Sequence, residues 1–220
     1  MNIFDVIGPV MIGPSSSHTA GAVRLGNLAL AILGEPVQEA VIGLHGSFAQ
    51  TYRGHGTDLA LVAGLQGWAT DDARIPKAFE AVEQAGIKIS FKIINLGDLA
   101  HPNSVNFSLI GISGNHCKVT GVSIGGGRVC ITNIDDFPVD FNGEFPAILT
   151  MHHDRPGAIS LVTSVLSTHG VNVAQMKVFR KQKGGLAAMI VETDQPVDDA
   201  EFKAIGNLPH IESVRRIQLG

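Results

Sequence analysis

A chain of 220 residues of which 45% are hydrophobic is long enough for one large or two modest domains around a buried core. Its formal net charge of -4, with no cluster of lysine and arginine, excludes the footprint of a nucleic-acid binder or of a protein held on an anionic membrane. Two cysteines, Cys117 and Cys130, in separate strand-like segments exclude a disulfide framework or a cysteine-bound cluster built by this chain alone, and read as buried thiols.

The N-terminus Met1-Asn2-Ile3-Phe4-Asp5 has no basic region, the apolar stretch Val6 to Ile12 is broken by Gly8 and Pro9, and no run reaches membrane-spanning length. A cytoplasmic location is expected. Next comes Gly13-Pro14-Ser15-Ser16-Ser17-His18-Thr19, directly ahead of a helix predicted over Ala20 to Leu33, with Gly13 and Pro14 forming the bend that leads into it. The first turn of a helix leaves backbone N–H groups unpaired and carries the positive end of the macrodipole, so hydroxyls there can hold a carboxylate or phosphate. Serine and threonine are also ordinary N-caps, but a cap needs one side-chain oxygen. Three serines followed by a histidine exceed that need and point to an anion site with a titratable group in it.

The helix shows a broad apolar face through Val23, Leu25, Leu28, Leu30, Ile32 and Leu33 and is stopped by Gly34 and Pro36. A strand is predicted at Ala40 to His45. The turn Tyr52-Arg53-Gly54-His55-Gly56-Thr57-Asp58 then opens onto a second helix ending near Leu65, so again a histidine stands where a loop enters a helix. Asp58 reads as a cap for that helix or as an orienting partner for His55. Pro76 to Ala85 reads as a helix, and strands are predicted at Ile87 to Ile94, Asn103 to Ile110, His116 to Ile124 and Arg128 to Ile134. Helices first and strands later give an α+β domain with a largely antiparallel sheet. Gly125, Gly126 and Gly127 lack the lysine and helix of a phosphate loop and read as a tight hairpin or as a contact with another chain.

Acids, proline and glycine over Asp135 to Gly143 mark a domain boundary, giving domains 1–142 and 146–220. From Pro146 the predicted order is strand (Ala147 to Met151), helix (Ala158 to His169), strand (Val171 to Arg180), strand (Leu186 to Thr193), helix (Asp198 to Ile205) and strand (Ile211 to Ile217). That βαββαβ order is ferredoxin-like. His152 and His153, adjacent on a strand, point to opposite faces and do not ligate one metal together. The segment Pro146 to Leu219 resembles the ACT domain family through Asp154-Arg155-Pro156-Gly157 and Gly170-Val171-Asn172-Val173. The resemblance implies a small amino-acid effector whose carboxylate meets the backbone at Gly157, with Asn172 assisting, across a dimer interface. Gly157 and Gly170 equally serve as turn residues.

Four segments of the first domain carry unusual polar chemistry: Gly13 to Thr19; His45-Gly46-Ser47 with Arg53 to Asp58; His101-Pro102-Asn103; and Gly121 to Gly127. In order and spacing they resemble the β chain of the iron-sulfur-dependent L-serine dehydratases. The resemblance implies a lyase that converts L-serine to pyruvate and ammonia. A four-iron, four-sulfur cluster on a separate α chain acts there as Lewis acid on the substrate hydroxyl, a base removes the α-proton, and the resulting aminoacrylate hydrolyses. The cluster cysteines belong to that α chain, and a monovalent cation is a further candidate cofactor. Ser15, Ser16, Ser17, Thr19 and Asn103 are candidate substrate-binding residues. His18 and His55 are candidates for general acid and base, with the order between them open. Asn103 alternatively makes an Asx turn, and His55 alternatively faces solvent from its turn. Two other readings stand beside this one. One is a non-catalytic amino-acid sensor like the regulatory region of some phosphoglycerate dehydrogenases; the other is a scaffold that only orders the α chain. Dimerisation through the ACT or the N-terminal domain is expected, and neither nucleic acid nor membrane is an expected partner.

Overall fold

The computed structural model describes residues 10–218, so the leader reading of Met1 to Asp5, the first residues of the Val6 to Ile12 stretch, and Leu219 lie outside the described residues. The chain divides into two compact units, Met1–Asp136 and Phe137–Gly220.

In the first unit a π-helical turn, Ser16–Ala20, runs directly into α1 (Gly21–Leu33). Helical structure therefore begins four residues ahead of Ala20, and Ser16, Ser17 and His18 are part of it. Helix α1 ends as its glycine predicts: Gly34 takes a left-handed conformation (φ 81°) and returns its N–H to Leu30 O at 3.0 Å. Strand β1 (Val37–Leu44) follows, then α2 (Gly46–Thr51), α3 (Thr57–Gly64), a 3₁₀ turn at Ile75–Lys77 and α4 (Ala78–Gln84). Four strands complete the unit: β2 (Lys88–Ile93), β3 (Ser104–Gly111), β4 (His116–Gly125) and β5 (Arg128–Ile134).

These strands lie in the order β2-β1-β3-β4-β5. The pair β1–β2 is parallel and the pairs β1–β3, β3–β4 and β4–β5 are antiparallel, so the sheet is largely antiparallel as expected. Helix α1 lies against β3, β4 and β5, and α3 lies against α1. Leu25, Leu28, Ile42, Phe48, Leu61 and Phe107 are fully buried between the layers. Helix α2 goes unpredicted by the sequence pattern because six residues are too few for a helical period to show.

The second unit opens on β6 (Phe137–Phe141), inside the stretch whose composition reads as a break. Its period of two was masked by Pro138 and Asp140: Phe137, Val139 and Phe141 are buried, and the residues between them are exposed. Then come β7 (Ala147–His153), α5 (Ala158–Thr168), β8 (Val173–Arg180), β9 (Leu186–Thr193), α6 (Asp199–Gly206) and β10 (Ile211–Ile217). The antiparallel order β10-β7-β9-β8 is that of the ferredoxin-like βαββαβ module. Its core joins Ile148, Met189 and Val191 of the sheet to Val162, Leu166 and Ile205 of the helices. A capping box at Asp198 and Glu201 starts α6.

Candidate active site

Ser15 caps the π-helical turn from an extended backbone (φ -141°, ψ 127°). Its Oγ accepts the His18 backbone N–H at 3.2 Å, and its carbonyl accepts Thr19 N–H at 2.8 Å. Gly13 (φ 150°) permits this fold-back, because a Cβ there would collide with the Thr19 side chain. Thr19 is accordingly buried behind the turn, 2% exposed, while Ser15, Ser16, Ser17 and His18 are half-buried.

Among the described residues the His18 ring meets Ser15, Ser47, Phe48 and His55. Its Nδ1 lies 3.5 Å from Ser15 Oγ and its Nε2 lies 3.3 Å from Ser47 Oγ. Phe48 meets it edge-on at 5.1 Å between centroids, and His55 meets it at 4.9 Å with an interplanar angle of 66°. The two histidines, 37 positions apart in the chain, thus share one place. Burial lowers the His18 pKa below its ordinary 6.5, and the charge of His55 lowers it further. His55 is exposed, in a loop that ends at Gly56 (φ 66°), the left-handed residue from which α3 starts. Helix α3 begins at Thr57, so Asp58 falls in the first turn and not at the cap, where its carboxylate suits the helix dipole and accepts Leu59 N–H at 2.9 Å.

Asn103 approaches the serine turn through Ser123. Its side-chain amide donates to Ser123 O at 3.5 Å and its carbonyl accepts Ser123 N–H at 3.0 Å, while Ser123 Oγ donates to Ser17 O at 2.9 Å. Asn103 Oδ1 is buried with no hydrogen-bond partner among the described residues. His101 accepts the Asn103 N–H on Nδ1 at 3.1 Å, and His45 accepts the Leu96 N–H on Nδ1 at 3.2 Å, so both brace loops beside the site. Gly125, Gly126 and Gly127, all with positive φ (97°, 61° and 74°), form the tight turn between β4 and β5. Arg24 of α1 holds that turn by donating to Gly127 O at 2.9 Å.

Ser47 is the site residue that sequence reasoning left without a role. Its signal was present, since His45-Gly46-Ser47 repeats the pattern of a polar loop entering a helix. No linear pattern, however, pairs it with His18.

A cysteine-held cluster does not fit this chain. Cys117 stands opposite Leu109 and Cys130 opposite Val122, positions five residues apart along β4 or roughly 17 Å at strand rise. Among the described residues no group of three or more histidine, cysteine or acidic side chains converges as a metal site.

In the second unit Gly157 (φ 95°) stands at the start of α5, and Asn172 donates to Asp194 Oδ2 at 2.6 Å. His152 is buried (1% exposed), whereas His153 is exposed and pairs with Glu212 at 2.9 Å, the opposite-face arrangement expected of strand neighbours. Asp154 accepts from Gly184 N–H at 3.0 Å and from Arg180 Nη1 at 2.8 Å, which together hold its pKa down.

Fold and site define a two-unit protein: a histidine pair at a hydroxyl-rich helix start, followed by a ferredoxin-like module of the ACT type, whose family profile matches residues 147–210. The profile of the serine dehydratase beta chain matches residues 2–133, and the chain belongs to that family. It is 43% identical over 216 residues to a Bacillus subtilis (strain 168) protein named "Probable L-serine dehydratase, beta chain", covering 98% of this chain and 97% of that one. It is 38% identical over the same shares to the "L-serine dehydratase, beta chain" of Peptoniphilus asaccharolyticus. A D-3-phosphoglycerate dehydrogenase of Synechocystis sp. is 28% identical over 90% of this chain, which spans 36% of that enzyme.

Proposed function

We propose that this chain is the beta subunit of an L-serine dehydratase, a lyase that converts L-serine to pyruvate and ammonia together with an alpha chain. The observation that carries this reading is the His18–His55 pair, 4.9 Å apart at the serine-rich start of a helix. Ser15, Ser16 and Ser17 hold the substrate carboxylate at the helix N-terminus, and Thr19 packs behind them. The Oδ1 of Asn103, which has no partner among the described residues, accepts from the substrate ammonium. His18, kept neutral by burial, takes the α-proton; His55, exposed beside it, delivers a proton to the departing hydroxyl. An iron-sulfur cluster would supply Lewis-acid help to the leaving hydroxyl, and its ligands would come from the alpha chain, because the cysteines here are too far apart to share it. Gly157 and Asn172 are the places for an amino-acid effector in the ACT unit, and cytoplasmic location and dimerisation belong to the same reading.

The similarity to phosphoglycerate dehydrogenases supports a second reading, a serine-sensing module without chemistry. Such a sensor has no use for a histidine pair. Co-expression with the alpha chain under anaerobic conditions separates the two. Serine-dependent pyruvate formation is expected from the complex and none from this chain alone. His18→Ala and His55→Ala should each lower kcat by about 10²- to 10⁴-fold with the complex still assembling. Full turnover in both variants would discard the catalytic assignment.

A further inference from the structure

Taking His18 as the proton-moving group proposed above, we propose that Ser47 is its positioning residue. The Ser47 hydroxyl holds Nε2 while Ser15 lies at Nδ1, so the ring is gripped at both nitrogens by uncharged groups.

The backbone under Ser47 is fixed. Ser47 O accepts Thr51 Oγ1 at 2.8 Å within α2. The helix start is pressed on the loop before β3: Gly46 has φ 57°, and a Cβ there would stand 2.6 Å from Pro102 O and 2.7 Å from Pro102 Cα. Phe48 N–H donates to Pro102 O at 3.3 Å, and the Phe48 ring, fully buried, walls one side of His18. Ser47 Oγ is therefore delivered to Nε2 by a rigid element.

Ser15 Oγ accepts the His18 backbone N–H and keeps both its hydroxyl proton and a second lone pair, so it can meet Nδ1 as the donor. With Ser15 as that donor the ring proton sits on Nε2, directed at Ser47 Oγ 3.3 Å away. The lone pair on Nδ1 faces the serine turn, where a substrate carboxylate and its neighbouring Cα–H would lie. The 3.5 Å contact from Ser15 is the weaker of the two and is the one that yields to substrate. When Nδ1 takes the α-proton, Nε2–H stays with Ser47. A carboxylate in place of Ser47 would orient the ring equally well but would stabilise imidazolium and raise its pKa. A hydroxyl orients without charging. Among the described residues, the ring neighbours Ser15, Ser47 and Phe48 are uncharged and His55 is ionisable, and the charge of His55 also disfavours imidazolium.

The test uses the full chain labelled with ¹⁵N in histidine rings, alone and with the alpha chain. In the wild type the His18 signals should report the Nε2–H tautomer. Ser47→Ala should mix the tautomers and, in the complex, lower kcat by about 10- to 100-fold with KM held within about twofold. Ser47→Thr should restore both, and Ser47→Asp should move the acid limb of the kcat profile to higher pH. Circular dichroism should be the same for all three variants. His18 signals unchanged in Ser47→Ala overturn the proposal whatever the enzyme does. Absence of serine turnover in the wild-type complex overturns the functional reading instead, and the ring signals still decide the role of Ser47.

Discussion

His18 is held neutral first by burial and then by its neighbour His55, because two like charges whose rings lie 4.9 Å apart oppose each other wherever water is partly excluded. His18 therefore stays a base at pH values where an ordinary histidine is protonated. Removing the neighbour lifts the smaller part of that effect: in His55→Ala the His18 pKa should rise while burial still holds it below 6.5, as followed by NMR titration of its ring, and an unmoved titration would refute the coupling. His152 makes the same physics a matter of stability. Its pKa is lowered chiefly by burial, against partial compensation from Asp154. The unfolded chain takes up a proton near 6.5, and the folded chain does so only at lower pH, so stability falls as pH drops through that window. His152→Leu should flatten that part of the dependence between about pH 7 and about pH 5 in urea unfolding. An equal slope in the variant would show that His152 contributes nothing. At this scale the sequence discloses chemistry better than contact. His18 and His55 stand out because each ends a glycine-bearing loop at a helix start, but the grip of Ser47 on Nε2 exists only once α2 is seated on Pro102.

The elements that carry the two histidines are aligned by glycine. Helix α1 continues the turn holding His18, and α3 follows the loop holding His55. Where the helices meet, a Cβ on Gly26 would stand 2.6 Å from Leu61 O, and one on Gly64 would stand 2.8 Å from Gly26 Cα and closer still to Val23 O. These are backbone atoms and cannot turn aside as a side chain would. Gly64→Ala should push the helices apart, costing on the order of 1–3 kcal/mol in chemical denaturation and widening the His18–His55 separation. The ¹⁵N ring signals of both histidines should shift in that variant; unchanged stability and signals would mean that the helices can slide at no cost. Such close approach has no signature in a single sequence, where Gly26 reads only as a weak point in a helix. Apolar periodicity did disclose α1, the two helices of the second unit and most strands. It missed α2 for shortness and β6 because its polar alternates dominated the composition.

At the scale of the molecule the question is where the second unit begins. Composition places its start at Pro146, and the two compact units divide after Asp136; β6 falls between the two bounds and lies against β8 and β9. Phe137, Val139 and Phe141 are buried, Lys177 donates to Asp140 at 2.6 Å, and Lys181 lies over the Phe137 ring at 5.4 Å. Beside that face lies Glu192, 5% exposed, its pKa raised by burial and by Glu144 and Asp140 against the pull of Lys177. Without β6 the faces of β8 and β9 that it covers would be bared, and Lys177 would lose its Asp140 partner. Residues 137–220 expressed alone should therefore unfold cooperatively as a well-folded domain. Residues 146–220 should be less stable, and should bind a hydrophobic dye or self-associate through the bared face. Equal unfolding midpoints for the two fragments would show that β6 is an ornament of the linker; a gap between them would make it the first strand of the unit, hidden from composition because its alternate residues are those of a loop.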